Sequence, residues 1–200
     1  MPIYITAMAD YKVCTQAIYF LLKNLGELDK LKMVKLIYFA DKLHLINYGR
    51  TITGDNYVAM RHGPAGSMVL DVINYNAEHF DSEQLQYIDR YLQRTDIPYV
   101  YKCKSDPPDD EQLSKSDKDI LALICGKLGK VNSRDLVELT HCYPEWTHHE
   151  KELGDDLSGS AQISIVEFFT AIKNDPLGIS NDMVNNSKKL FLGEDDESII

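Results

Sequence analysis

The segment Leu31-Lys32-Met33-Val34-Lys35-Leu36-Ile37-Tyr38-Phe39-Ala40-Asp41 contains the hydrophobic pattern that decides the fold. On a helix, where successive residues lie about 100° apart, one face collects the apolar residues Met33, Leu36, Ile37, Ala40 and Leu43. A second apolar stripe lies on nearly the opposite side and consists of Leu31, Val34, Tyr38 and Leu45. A helix that is apolar on two sides is either central in its domain or covered by a partner. We expect the central position and keep the second stripe as the candidate surface for contact with a partner.

Three lysines, Lys32, Lys35 and Lys42, lie along one flank of this helix between the two stripes. We expect their stems to cover apolar surface while the ammonium groups reach water. Asp29 can cap the start of the helix, which runs to about residue 47 and is closed by Gly49.

Working outward, hydrophobic periodicity, caps and turn residues predict a chain in which helices dominate. We expect helices over residues 10–25, 29–47, 67–76, 81–94, 116–128, 165–173 and 181–192, with a short helix capped by Ser133. Two strands are predicted over residues 57–60 and 97–103. We expect these strands to pair, and helices to pack on them, because two strands alone are marginal. The predicted fold class is therefore mainly α with a small antiparallel β-ribbon (α+β), in a single compact helical domain.

The net charge of −10 is distributed unevenly along the 200 residues. Residues 1–64 contain eight Lys or Arg and five Asp or Glu, a balance of +3, so the remaining residues carry −13. An acidic majority repels the phosphate backbone of nucleic acids and attracts basic proteins. We therefore expect a protein partner, a basic one in particular, rather than DNA or RNA.

The sequence also bounds the compartment. It has no apolar run of about 18 residues, so a membrane-spanning helix is not expected. The first six residues lack the basic and apolar regions of a secretory signal. Its four cysteines, Cys14, Cys103, Cys125 and Cys142, form no CxxC pair and are expected to be reduced thiols. These features predict a cytoplasmic protein.

Motifs for catalysis are missing from the sequence: there is no GxxxxGK[ST], GxGxxG, HExxH or GxSxG. His62, next to Gly63-Pro64, is the most site-like histidine. It is either a general base or contact residue, or an imidazole that fixes the turn by bonding backbone groups. Asp41 is either a general base or a residue that caps a neighbouring loop or pairs with a group such as Arg61. We favour the structural role for both and expect no catalytic centre and no cofactor.

Two further patterns are weak. One groups possible metal ligands within ten residues, namely His141, Cys142, Glu145, His148, His149 and Glu150. Their spacing matches no compact zinc motif, so no metal site is predicted. The other, residues 116–142, superficially resembles a helix-turn-helix. Its second helix offers Arg134 beside Asp135 and Glu138, whereas a recognition helix presents cations and amides to the groove. Structural packing is the better interpretation.

The segment quoted first resembles the KLxKLxYxAD signature of Panacea domains, which occur in SocA-like antitoxins. Gly49 to Asp55, Tyr57-Val58-Ala59, His62-Gly63-Pro64 and a later histidine-to-tryptophan segment follow in the family's order. The positions that carry the resemblance are Lys32, Lys35, Leu36, Tyr38, Asp41, Gly49, Gly54, Asp55, Ala59, His62, Gly63, Pro64, His141 and Trp146. It extends over residues 10–150. An N-terminal extension (1–9), a helical C-terminal extension (151–192) and an acidic tail (193–200) lie outside it.

The resemblance implies a non-enzymatic antitoxin that is encoded beside a small toxin, often on a prophage, and neutralises it by direct binding. No cofactor is implied. Two alternatives stay open: an adaptor that delivers the toxin to a protease, as a SocA-like member does, and a DNA-binding autoregulator. The oligomeric state is left open.

Overall fold

The computed structural model describes residues 9–105, 107 and 110–194. Within them, eight α-helices span Tyr11–Leu25 (α1), Lys30–Tyr48 (α2), Ser67–Asn74 (α3), Ser82–Tyr91 (α4), Lys115–Leu128 (α5), Ser133–Thr140 (α6), Pro144–Thr147 (α7) and Asn181–Leu192 (α8). Six short strands span Leu28–Asp29 (β1), Tyr57–Ala59 (β2), Ala65–Gly66 (β3), Leu92–Arg94 (β4), Val100–Cys103 (β5) and Ala161–Ile163 (β6). Two 3₁₀ turns cover Glu150–Leu153 and Ile165–Phe168.

Helix α2 lies at the centre of the molecule. Asp29 caps it by accepting a hydrogen bond of 2.9 Å from the Lys32 amide, and Gly49 ends it with a left-handed backbone. The fourteen consecutive residues from Met33 to Ile46 are all buried, and α1, α3, α5, α6 and α8 pack around them. Of the two positions that the double apolar stripe allows, the central one is therefore correct.

The expectation for two of the lysines is wrong. Lys35 and Lys42 are buried to their ammonium groups, whereas only Lys32 remains partly accessible. Both ammonium groups turn toward acceptors inside the protein, Lys35 toward the Pro64 carbonyl and Lys42 toward Glu145.

The predicted pairing of the two strands is also wrong. Strand β2 pairs antiparallel with β3 and with β6, whereas β5 pairs antiparallel with β1 and β4. The actual partner strands, β1, β3, β4 and β6, are two or three residues long, too short to show alternation in the sequence. The class, mainly α with small antiparallel sheets, is confirmed.

Several predicted boundaries move because a neighbouring residue makes the cap. Ser114, not Ser116, caps α5, and Asn132, not Ser133, caps α6. The helix predicted over residues 165–173 is a single 3₁₀ turn. The chain leaves the helical conformation at Phe169, which has a ψ of 67°, and the Phe168 carbonyl accepts hydrogen bonds from Lys42 Nζ at 2.7 Å and from the Thr170 amide at 2.8 Å.

The residues that follow α7 pack into the same core as the preceding helices. Strand β6 completes the sheet around β2. Ser187 in α8 donates to the Ile46 carbonyl at 2.5 Å, and the rings of Phe169 and Phe191 lie 5.1 Å apart. The expected acidic tail lies, from residue 195 onward, outside the described residues, as do residues 1–8 of the expected N-terminal extension.

Helix α3 is capped from a distant loop. Gly66 at its N-cap has no side chain, and the Asp55 carboxylate instead accepts hydrogen bonds of 2.9 Å from the amides of Met68 and Val69. A Cβ atom at Gly66 would overlap this carboxylate.

We expect Gly66→Ala to lower the free energy of unfolding by about 2 kcal/mol, because it displaces the carboxylate that caps α3. Urea denaturation followed by circular dichroism measures this. The matched control is Gly126→Ala in α5, where an added Cβ meets no atom within 4 Å. There alanine is expected to stabilise by up to about 1 kcal/mol. Equal effects at both glycines would contradict the capping role.

Candidate functional site

The first polar cluster joins α2 to α7 and to the chain that follows. Lys42 Nζ lies 2.6 Å from Glu145 Oε1, 2.7 Å from the Phe168 carbonyl and 2.8 Å from Thr170 Oγ1. Tyr38 donates to the same Glu145 oxygen at 2.6 Å, and Thr170 donates to the other at 2.5 Å. All three ammonium protons therefore have acceptors. Lys42 and Glu145 are fully buried, so the cluster holds the fold together and offers nothing to a substrate.

The second cluster surrounds Asp41. Its carboxylate accepts hydrogen bonds from the amides of Ile52 (2.8 Å) and Thr53 (3.1 Å), from the Thr53 hydroxyl and from Tyr57 Oη (2.8 Å). Burial raises the pKa of Asp41 to about 6, although these hydrogen bonds act to lower it. Asp41 thus caps the neighbouring loop, one of the two structural roles expected. Arg61 lies exposed at the surface and is not its partner.

The His62-Gly63-Pro64 turn is held by groups other than the histidine. Lys35 Nζ donates to the Pro64 carbonyl at 2.7 Å. Trp146 Nε1 donates to the Met60 carbonyl at 2.8 Å, as does the Gly63 amide at 2.9 Å. His62 itself is exposed, and among the described residues its imidazole makes no hydrogen bond. The expectation that it fixes the turn is therefore wrong, because backbone and lysine groups already do so.

Gly63 has a backbone φ of 90°, and a Cβ there would overlap the Thr140 hydroxyl and approach Lys35 Nζ to 3.0 Å. Both the angle and the close packing require glycine. The turn is therefore pressed against α2 and α6.

The possible metal ligands between residues 141 and 150 do not converge. The His141 ring stacks on Trp146, with centroids 3.7 Å apart, and Glu145 is engaged by Lys42. His149 contacts Glu152 and Glu167, at 3.0 and 2.8 Å. Within the described part of the chain, no three His, Cys, Asp or Glu side chains are placed to hold an ion together.

The motif turn and the start of α2 border an open depression of about 620 Å³. Its apolar lining comes from Leu31, Val34, Met60, Ala65, Leu70 and Tyr99. The charged and polar lining comes from Asp29, Lys30, Lys35, Arg61, His62 and Asn74. This depression, together with its lining, is the candidate functional site.

The structure separates the four residues of the second stripe. Leu31 and Val34 line the depression, whereas Tyr38 and Leu45 are buried in the core. The Tyr38 hydroxyl is moreover committed to Glu145. Tyr38 and Leu45 are thus core residues rather than contact residues, because α6, α7 and α8 cover that part of α2.

Tyr99 is the lining residue that the sequence analysis missed most clearly. It was assigned to a strand, but the strand begins at Val100, and Tyr99 has a left-handed backbone with a φ of 63°. Its carbonyl accepts from the Lys30 amide at 2.8 Å, which places it beside the start of α2, and its side chain is 73% exposed. A signal was present: Ile97-Pro98-Tyr99 carries two large apolar side chains in a turn.

Lys35 forms part of the floor of the depression. It is 1% exposed, and its bond to the Pro64 carbonyl is the sole hydrogen bond of its ammonium group to the residues described. Burial lowers the pKa of Lys35 to about 7. An ammonium group has three donors, so Lys35 keeps donor capacity for a further acceptor.

A comparison with protein-family models matches residues 33–147 to the family described as "Antitoxin SocA-like, Panacea domain". The match covers more than half of the chain, and the chain belongs to this family. It includes every position of the resemblance except Lys32. No curated protein and no solved structure matches the chain. None of the described helices combines the length and apolar character needed to cross a membrane.

We expect Glu145→Ala to lower the free energy of unfolding by about 3–5 kcal/mol, because it leaves the Lys42 ammonium buried without its counter-ion. The double variant Lys42→Met/Glu145→Leu is expected to recover most of this loss. Thermal and urea unfolding measure both. Asp89→Ala, which removes an exposed ion pair with Lys104, serves as the control and should cost no more than about 1 kcal/mol.

A pH effect is expected at Lys35. Its folded pKa of about 7 lies below that of an unfolded lysine, so the folded chain binds fewer protons between these values. Lys35 therefore contributes more to the free energy of unfolding as the pH rises above 7. Its contribution is least favourable below pH 7, where the folded protein has to bury a charged ammonium group. The free energy of unfolding of Lys35→Met, taken relative to that of wild type at the same pH, should increase by about 2–3 kcal/mol when the pH is lowered from about 9 to about 6. A difference that does not change with pH would contradict this.

Proposed function

We propose that this protein is an antitoxin of a bacterial or prophage toxin–antitoxin system, which neutralises a cognate protein toxin in the cytoplasm by binding it directly. The observation that carries the proposal is the family membership of residues 33–147. The geometry supports binding rather than catalysis. Among the motif residues that could do chemistry, Lys35, Asp41 and Asp55 are buried and bonded to backbone groups, whereas His62 is exposed and is hydrogen-bonded to none of the described acidic side chains.

The charge of the chain bears on the partner. At −10, the protein attracts a toxin of opposite net charge over long range and repels nucleic acid. A basic toxin is therefore favoured, and a direct role in DNA binding is disfavoured. In α6, Arg134 lies 3.6 Å from Glu138, so the one arginine of the possible recognition helix is partly neutralised.

Delivery of the toxin to a protease is the second mode of action. Its sequence candidate for protease docking, Glu197-Ser198-Ile199-Ile200, lies outside the described residues. The two modes differ in the fate of the toxin, which persists in a complex when it is neutralised by binding and disappears when it is degraded.

We expect co-expression of this chain to restore growth to cells arrested by the product of the neighbouring open reading frame, and the two proteins to co-purify. Growth curves and affinity purification with a tag on the toxin measure this. The control is the Glu145→Ala variant, which is expected to fold poorly and to rescue poorly.

The same experiment in a host that lacks its ATP-dependent proteases separates the modes. The adaptor is favoured if rescue is lost in the protease-deficient host and if toxin levels fall only when the proteases are present. No rescue in either host would contradict the proposal.

A further inference from the structure

The charge of the depression is opposite to that of the molecule. Its rim and floor carry Lys30, Lys35 and Arg61, with His62 beside them. Asp29 is the one carboxylate among the lining residues, and it is already used by the Lys32 amide and the Ser133 hydroxyl. The depression is thus locally basic although the chain has a net charge of −10, and a basic surface favours an acidic ligand.

The floor adds an unfilled polar position. Lys35 donates one hydrogen bond, to the Pro64 carbonyl, although an ammonium group has three donors. His141, which does not line the depression but interacts electrostatically with Lys35, has a buried Nε2 without a hydrogen-bond partner among the described residues. Buried polar groups ordinarily have partners, so the remaining Lys35 donors are available to a ligand oxygen.

The walls supply apolar contact area. Tyr99 is 73% exposed and Met60 is 38% exposed, and both border the same depression, where they form one apolar surface with Leu31. Tyr99 moreover holds a left-handed backbone, a conformation that costs free energy for an aromatic residue and that concentrates at functional positions. Aromatic residues of this kind are typical anchors at protein interfaces.

We propose that this depression is the toxin-binding site and that it takes a segment of the toxin in which an acidic side chain lies next to an apolar one. The carboxylate lies against Lys35, and the apolar side chain packs between Leu31 and Tyr99. This inference rests on the proposed function. A toxin of basic net charge can present such a segment, because net charge governs long-range attraction whereas local charge governs contact.

A protein segment fits better than a nucleic acid. Six of the lining residues, Leu31, Val34, Met60, Ala65, Leu70 and Tyr99, offer apolar surface that a phosphate backbone does not use. The net charge of the rest of the chain also repels a polyanion, whereas a short acidic segment meets only the local basic rim.

The test uses two variants that should leave the fold intact. Tyr99→Asn removes the ring, and asparagine tolerates the left-handed backbone better than tyrosine. Arg61→Glu reverses one exposed rim charge. Each is expected to weaken binding of the purified toxin by at least about tenfold, measured by titration calorimetry, and to reduce rescue of growth.

The matched controls lie elsewhere on the surface. Leu190→Asn in α8 removes an apolar side chain that is 84% exposed, and Arg134→Glu reverses a charge whose side chain is 88% exposed. Both are expected to bind the toxin within about twofold of wild type, since exposed positions outside an interface contribute little. Circular dichroism and thermal unfolding confirm that all four variants are folded.

Lys35→Met tests the contact with the carboxylate. It should lower toxin affinity about tenfold or more while the chain stays folded, because the charge at the floor is lost and the stem is kept. A structural role alone would make stability and affinity fall together.

The outcomes are distinguishable. If the wild-type chain neither rescues growth nor binds the toxin, the proposed function itself is contradicted. A wild-type chain that binds, with Tyr99→Asn and Arg61→Glu binding equally well, overturns the site alone. The site is also overturned if Arg61→Glu abolishes binding of a labelled oligoribonucleotide, or Tyr99→Asn dissociates a dimer of this chain, while toxin affinity stays unchanged.

Discussion

A helix that is buried on every side must find partners for its polar side chains inside the core, and this constraint organises the rest of the molecule. Between Met33 and Ile46, helix α2 buries two lysines, an aspartate and a histidine. Each would be destabilising if left alone. Groups outside α2 therefore supply the acceptors and donors: the Arg50 carbonyl and the Thr53 loop just after the helix, the Pro64 carbonyl, and Glu145 in α7.

The need to satisfy the buried polar groups explains the structural roles of several residues by which the family is recognised. Asp41 and Asp55 hold backbone amides, Gly63 allows the turn to press on α2, and Trp146 secures that turn through the Met60 carbonyl. Together these contacts fix the surrounding loops and the start of α3.

Local patterns in the sequence predicted most of the helices but not the contacts between them. The double apolar stripe of α2 correctly predicted a central helix, and Gly49 its C-terminal end, whereas the helix predicted over residues 165–173 is a single 3₁₀ turn. The burial of Lys42 could not be foreseen, because its partner Glu145 is about a hundred positions away and nothing local links them. Five residues that line the candidate site follow from the sequence: Leu31 and Val34 from the second apolar stripe, and Lys35, His62 and Gly63 from the motif. Tyr99 was missed, because alternation in the sequence suggested a strand where the backbone is left-handed.

The Lys42 cluster extends past the part of the chain that the family model matches. Two of the three acceptors of its ammonium group, the Phe168 carbonyl and the Thr170 hydroxyl, come from residues beyond Trp146. A polypeptide cut after the matched segment would keep the cation and lose most of its solvation. In this chain, the stretch needed to satisfy its buried charges is therefore longer than the stretch that the family model matches.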